Sequence, residues 1–153
     1  MTSAQNATLL FALAVLMLAV TMTSADEVEY VLTSDSAALD LPFSDAVVID
    51  DLMIMSGQIG VDPKTFALVA GGLEAETRQI FTNMRALLAI KGADIADIVK
   101  CTVMIDDITQ WPAFNAIYVT YFPGNKPARS AFGANGLALG AAVELECWAN
   151  VDD

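Results

Sequence analysis

The chain has 153 residues, with 19 acidic and 7 basic side chains and no histidine, so its formal net charge is −12. Its length fits one domain with a substantial hydrophobic core. The acidic balance argues against nucleic-acid binding, which needs a basic surface, and the lack of histidine argues against zinc catalysis and histidine-based triads.

The first 25 residues carry no charge and include an unbroken apolar run from Leu9 to Val20. An apolar run of this length before the small residues Thr23–Ala25 is typical of a secretory signal peptide. We therefore expect residues 1–25 to direct export to the periplasm or the medium, with cleavage after Ala25 and no stable membrane association afterwards. The usual positive charge before the run is missing, so an uncleaved membrane anchor and a wrongly assigned start remain alternatives.

The pattern after residue 25 predicts strands, turns and two helices in one domain, 26–153. In the first half, polar–apolar alternation predicts a strand in Asp26–Thr33, followed by a loop over Ser34–Leu41 and a turn at Pro42 and Phe43. Two short apolar runs, Val47–Ile49 and Leu52–Ser56, predict a hairpin. The backbone is expected to open at Gly57, and Asp62–Thr65 is expected to form a turn.

The second half begins with the clearest helix, Leu73–Ile90, whose apolar residues recur every three or four positions before Gly92. Ile98–Ile105 alternates as a strand, with Val99, Cys101, Val103 and Ile105 on one side. A second helix is expected to start near Thr109 as its N-cap and to stop before Pro123. Its aromatic stripe favours a place in the core over a binding site.

Residues 126–146 place Arg129 at the head of one strand and Glu144 in the next, on the polar face of an alternating segment. If these strands are neighbours, the guanidinium and the carboxylate share a pocket; spacing alone favours a weak surface ion pair. Cys101 and Cys147 both lie in strand-like segments. We favour two buried thiols, with a disulfide as the alternative in an oxidising compartment.

The order of elements predicts an α+β domain in which a sheet carries both helices on one face. The other face of the sheet would then be bare. A bare apolar face must be covered, so the pattern favours an oligomer.

A series of motifs then appears in the same order as in the Rid family, also called YjgF, over about residues 36–150. They are Ser56-Gly57-Gln58-Ile59, Asp62–Thr65, Glu76–Gln79, Ile98–Val103, Asn115 with Tyr118, Tyr121–Pro123, Lys126–Ser130 and Val143–Glu146. No single motif is decisive, but their common order makes the chain resemble this family of reactive-intermediate deaminases.

The resemblance implies a chorismate-mutase-like fold and a homotrimer with active sites between subunits. Because an imine is already reactive, we expect no metal or cofactor. It also implies hydrolysis of small anionic enamine and imine acids, such as 2-aminoacrylate and 2-iminobutanoate, to 2-oxo acids and ammonia. Arg129 falls on the family's carboxylate-binding arginine and Glu144 on the acid that holds the attacking water. Ser56 and Gly57 fall on the pocket-lining pair, and Asn115 on an asparagine near the site.

Two positions depart from the family pattern. Phe43 stands where enzymatic members commonly carry a pocket tyrosine, and Ala131 replaces a frequent cysteine, although its backbone groups can still serve. The missing hydroxyl weakens ligand binding by about 1 kcal/mol or more. The alternatives are a non-catalytic module that binds small carboxylates or apolar ligands, or acts like a chaperone, and a ribonuclease, which the charge opposes.

Overall fold

The computed structural model describes residues 28–152, so the predicted signal peptide lies outside the described residues. In this range the strands are β1 (Val28–Val31), β2 (Ala46–Ile49), β3 (Leu52–Met55), β4 (Gln58–Ile59), β5 (Ile98–Ile105), β6 (Ala128–Gly133) and β7 (Val143–Asn150). The α-helices are α1 (Ser34–Ala38), α2 (Gly72–Leu88) and α3 (Trp111–Tyr121). None of these helices is both long and apolar enough to cross a membrane.

The described strands form one mixed sheet in the order β1-β2-β3-β7-β5-β6, and β4 also pairs with β7. Only the pairing of β5 with β6 is parallel among them. The β5–α3–β6 segment explains this exception, because two parallel strands need a crossover connection, here a helix. The α+β class is confirmed.

The backbone opens at Gly57 as predicted. Ile54 on β3 stands opposite Trp148, while Gln58 on β4 stands opposite Leu145. The three residues between Ile54 and Gln58 therefore lie opposite only two residues of β7. The extra residue makes a bulge between β3 and β4. It brings the Gly57 backbone against β7.

Helices α2 and α3 cover one face of the sheet, as predicted. Helix α2 runs into a 3₁₀ turn and ends at Gly92, which adopts a left-handed φ of 73° that glycine tolerates without strain. Phe81 on α2 stacks on Tyr121 of α3, with ring centroids 3.9 Å apart. The core between helices and sheet includes Met53, Met55, Ile80, Phe81, Met84, Leu88, Val103, Ile105, Phe114, Val143 and Leu145.

The predicted loop at Ser34–Leu41 is wrong in part, since it contains α1. The Thr33 side chain accepts a hydrogen bond from the Ser36 backbone N–H at 3.2 Å. Asp45 in turn accepts from the Thr33 N–H and the Ser36 hydroxyl, both at 2.6 Å. Asp45, which stabilises the N-terminus of α1, lies outside the segment from which the loop was predicted, and this explains why the helix was missed.

Two details near β5 also differ from prediction. Val99 is 47 % exposed because the register against β7 shifts between Ile98 and Lys100, and this bulge turns Val99 away from the core. Thr109 is not the N-cap of the second helix. Instead, the Asp107 side chain accepts a hydrogen bond from the Thr109 N–H at 2.9 Å, before a short 3₁₀ turn that leads into α3.

Cys101 and Cys147 form a disulfide, so the interpretation of two free thiols is wrong. The two residues are directly paired across β5 and β7 and are fully buried. Residues that stand opposite each other in antiparallel strands point to the same face at short distance. Pairing across the sheet, which the spacing of 46 residues could not reveal, therefore decides their state.

Candidate functional site

Arg129 lies near the start of edge strand β6, on the face that the helices cover. Its guanidinium carbon is 4.6 Å from the ring centroids of both Trp111 and Tyr118 on α3. Within residues 28–152 the guanidinium has no ion pair and no hydrogen bond. A ring face attracts a cation through its quadrupole without accepting its N–H groups in conventional hydrogen bonds. The two rings therefore hold Arg129 while its donors remain available for a planar anion such as a carboxylate.

The sequence does indicate that the Trp111 and Tyr118 rings lie on the same side of α3. Trp111, Asn115 and Tyr118 are spaced i, i+4 and i+7, which places them on one face of α3. The aromatic stripe was assigned to the core, and Tyr118 is indeed buried at 6 % exposure. The sequence around α3 does not single out Trp111, because nothing local to the helix shows that Arg129 lies beside it in the fold.

A groove of about 670 Å³ runs between α3 and the start of β6. Asn115 and Arg129 both line it, so the structure brings these two predicted site residues together. Val119 and Phe122 give the groove apolar walls, and Lys126 adds a second cation.

The Tyr118 hydroxyl is buried and has no hydrogen-bond partner in the described part of the chain. Burial raises the pKa of Tyr118 to about 12, while the nearby charge of Arg129 acts in the opposite direction. The phenol is therefore neutral at physiological pH, and its ring contacts Arg129 without a competing negative charge.

Ala131 lies two residues beyond Arg129 on β6 and on the same face, since it pairs with the buried Val103 of β5. It is exposed, and its methyl group offers no functional atom. Only its backbone can take part in the groove.

A second cluster joins Ser56, Gly57 and Glu144. A Cβ atom added to Gly57 would lie 3.0 Å from Glu144 Cδ and closer still to Oε1, so the carboxylate packs directly on the Gly57 backbone. The Ser56 hydroxyl donates to the Ser44 carbonyl at 2.6 Å. This bond holds the turn next to Phe43, whose ring is 52 % exposed.

Glu144 is partly buried, and its carboxylate accepts no hydrogen bond from the residues that the structure describes. Burial raises the pKa of Glu144 above its usual value, and the charge of Glu146 raises it further. A carboxylate with a raised pKa is a stronger base than an ordinary one. It is suited to orienting a water molecule or taking a proton from it.

The two clusters lie on opposite faces of the sheet, so one chain does not bring Arg129 and Glu144 into one pocket. The hypothesis that their strands are neighbours is wrong, because β5 lies between β6 and β7. Arg129 is in register with Cys101 and, through it, with Cys147. Glu144 is three residues from Cys147, and an odd offset along a strand reverses the face.

The distance confirms this separation. Strands are about 4.8 Å apart and rise about 3.3 Å per residue, so two strands and three residues separate the Cα atoms by roughly 14 Å. Within residues 28–152 no group of three or more histidine, cysteine, aspartate or glutamate side chains is placed to hold a metal ion.

Comparison with known proteins places this architecture among relatives. A family model described as "Endoribonuclease L-PSP" matches residues 34–151. Human 2-iminobutanoate/2-iminopropanoate deaminase is 41 % identical over 105 residues, which cover 69 % of this chain and 77 % of the human protein. The rat protein of the same name is 40 % identical over 114 residues, 74 % of this chain and 83 % of its own.

Solved structures agree with the sequence matches. The crystal structure of YyfA from Yersinia pestis, a Rid-family protein of unknown function, has a TM-score of 0.76 and 35 % identity, covering 82 % of this chain and all of its own. The YjgF gene product of E. coli has a TM-score of 0.73 and 31 % identity, covering 81 % of this chain and 99 % of its own.

Proposed function

This chain belongs to the Rid (YjgF) family, and we propose that it hydrolyses small enamine and imine acids, such as 2-aminoacrylate and 2-iminobutanoate, to 2-oxo acids and ammonia. The observation that carries the proposal is the Arg129 guanidinium, which has no ion pair within residues 28–152 and lies between Trp111 and Tyr118 at a groove. The names of the relatives support the same chemistry.

In the proposed reaction Arg129 binds the substrate carboxylate through two parallel hydrogen bonds. This positions the imine carbon, and positioning of a reactant lowers barriers by several kcal/mol. An enamine such as 2-aminoacrylate first tautomerises to the imine by moving a proton from nitrogen to its terminal carbon. Glu144 then takes a proton from water as the oxygen attacks the imine carbon and returns that proton to the nitrogen. The carbinolamine expels ammonia when its hydroxyl proton moves to the nitrogen and the C=O bond forms. One water is consumed and one ammonia released, with no change in oxidation state.

We further propose that each site forms between two copies of the chain in a homotrimer. Arg129, Asn115 and Ala131 of one copy would face Ser56, Gly57, Phe43 and Glu144 of the next. The opposite placement of Arg129 and Glu144 supports this proposal, because a single chain leaves the site incomplete.

The bare sheet face gives independent support for the assembly. Tyr30, Phe132 and Trp148, which alternate with inward-facing residues, are 69 %, 50 % and 37 % exposed. Apolar surface in contact with water costs about 25 cal/mol per Å² relative to burial. A second copy that covers this face removes part of that cost.

Subunit complementation tests the shared site. Arg129→Ala and Glu144→Gln variants should each be inactive, while a refolded equal mixture should regain activity at about a quarter of the sites, because random mixing in a closed ring pairs an intact Arg129 with an intact neighbouring Glu144 that often. If both residues served from the same copy, the mixture would stay inactive.

The deaminase proposal itself is tested by ammonia release from imines that an amino-acid oxidase generates in situ. The wild-type chain should accelerate release and Arg129→Ala should not. Lys64→Gln is the matched control, since it removes one positive charge from the exposed turn at Asp62–Thr65. Equal rates for wild type and Arg129→Ala would overturn the proposal.

Trp111 supplies a finer test of the arginine. Loss of one cation–π contact of about 1 kcal/mol predicts that Trp111→Leu weakens 2-oxobutanoate binding about fivefold, whereas Trp111→Phe retains a ring face and most of the affinity. Isothermal titration of both variants measures this. If Trp111→Leu bound 2-oxobutanoate as tightly as the wild type, the Trp111 ring would not position Arg129.

Phe43 favours a second candidate function, a module that binds small carboxylates without turnover. Its exposed ring supplies no hydroxyl beside Ser44 and Ser56. Ligand-induced stabilisation that Arg129→Ala abolishes, without product formation, would identify this function. Degradation of RNA in the presence of chelator would instead favour the ribonuclease, which the net charge of −12 opposes.

We also propose that the protein works in an oxidising compartment after export. The Cys101–Cys147 disulfide supports this, because such bonds persist mainly in secreted and periplasmic proteins. Protein purified from the native host should show no free thiol after denaturation. Two titratable thiols in that preparation would argue against export.

A further inference from the structure

The groove beside Arg129 carries two positive charges and no negative one. Lys126 and Arg129 both line it, and no acidic side chain does. Among the chain's seven basic residues, all within the described range, Arg78, Arg85 and Lys91 form ion pairs. Neither Lys126 nor Arg129 pairs with any carboxylate of residues 28–152.

This arrangement is notable in a chain of net charge −12. Two like charges that line one groove repel each other, and neither of them forms an ion pair within the described part of the chain. A bound anion relieves this repulsion, and an anion with two negative groups relieves it more than an anion with one. The electrostatics of the groove therefore favour a dianion.

The size of the groove points the same way. Its volume of about 670 Å³ falls in the range of sites that hold drug-sized ligands. An acid of three or four carbon atoms would fill only part of this volume. Val119 and Phe122 supply an apolar surface along it, which suits the methylene groups between two charged ends.

We propose that the groove accepts imine acids with a second anionic group, of the kind formed from aspartate or glutamate. Arg129 holds the carboxylate next to the imine carbon, and Lys126 holds the distal carboxylate. A planar guanidinium fixes the reacting end bidentately, while a flexible ammonium adapts to the length of the spacer. This inference rests on the proposed function and narrows its substrate class.

The test compares two stable product-like probes, 2-oxobutanoate with one charge and 2-oxoglutarate with two, by isothermal titration of the full chain at constant ionic strength. We expect the wild type to bind 2-oxoglutarate more tightly. Lys126→Gln should weaken 2-oxoglutarate about tenfold, the effect of one charge-assisted hydrogen bond, and change 2-oxobutanoate by less than about twofold.

Lys64→Gln is the control for net charge, since it lies in the turn at Asp62–Thr65 outside the groove, and it should alter neither affinity. Arg129→Ala should weaken both probes. The inference is overturned if Lys126→Gln affects both probes equally, or if the wild type binds the dianion no more tightly than the monoanion.

These outcomes are separable from those of the deaminase assay. If Lys126-dependent binding of 2-oxoglutarate occurs but no imine is turned over, the proposed reaction fails and the dianion preference stands. If monoanionic imines are hydrolysed normally but Lys126→Gln leaves the affinity for 2-oxoglutarate unchanged, the reaction stands and the dianion preference fails.

Discussion

Replacement of Gly57 by alanine should damage turnover without damaging the fold. The added Cβ would lie 3.0 Å from Glu144 Cδ, whereas ordinary contacts of this kind begin at 3.4 Å. The carboxyl carbon must therefore retreat by about 0.4 Å, and Oε1, which is closer, by more than 1 Å. A reacting group misplaced by about 1 Å can cost about 100-fold in rate.

We expect kcat to fall about 100-fold, which corresponds to about 2.7 kcal/mol of barrier. The unfolding free energy should change by less than about 1 kcal/mol, for two opposing reasons. The end of the Glu144 side chain can move at little cost, and an alanine at a position without a left-handed φ restricts the unfolded chain and stabilises the fold by about 0.4–1 kcal/mol.

Steady-state deaminase kinetics and urea denaturation measure the two effects separately. Gly124→Ala is the matched control, because an added Cβ there meets no atom within 4 Å and φ is not left-handed. It should match the wild type in both measurements. If Gly57→Ala kept the wild-type kcat while a crystal structure showed Glu144 displaced, the role of Glu144 in placing water would be refuted.

Three further predictions follow from single contacts. Glu144→Gln should abolish turnover yet raise Tm at pH 7. Burial raises the pKa of Glu144 in the folded state above its ordinary value of 4.5. The wild type therefore loses stability as the pH rises from 4.5 through the pKa of the folded state, and the glutamine variant does not. Melting curves should therefore converge at pH 4. Replacing both Cys101 and Cys147 by alanine should lower the unfolding free energy by about 4 kcal/mol in urea melts, the loop-closure estimate for residues 46 apart; an unchanged midpoint would contradict it. Glu76 is buried, and its Oε2 accepts the Ala142 N–H at 2.7 Å. Glu76→Ala should cost about 2 kcal/mol and speed amide exchange at Ala142, whereas slow exchange in the variant would show that another acceptor replaces the carboxylate.

Local patterns predicted most of the elements because the information for them is local. The apolar spacing in α2 and the alternation in β7 record which side of each element faces the core. Both elements appear within a few residues of their predicted bounds. The order of motifs indicates the family without reference to the fold.

The errors occur where a distant partner decides the outcome. Asp45 holds the start of α1, β7 shifts register at Val99, and the pairing of β5 with β7 sets Cys101 against Cys147. None of these partners can be recognised from the residues next to the start of α1, next to Val99 or next to Cys101.

The sequence by itself determined which residue types this protein can offer to a substrate: an arginine in the strand before a glycine-rich bend, and carboxylates, Glu144 among them, in the strand after it. The tertiary structure alone decided where they lie, because alternation shows that two residues face differently from their neighbours but not which strands stand side by side. Strand β5 comes between β6 and β7 through long-range pairing, and Arg129 and Glu144 consequently look out from opposite faces of the sheet.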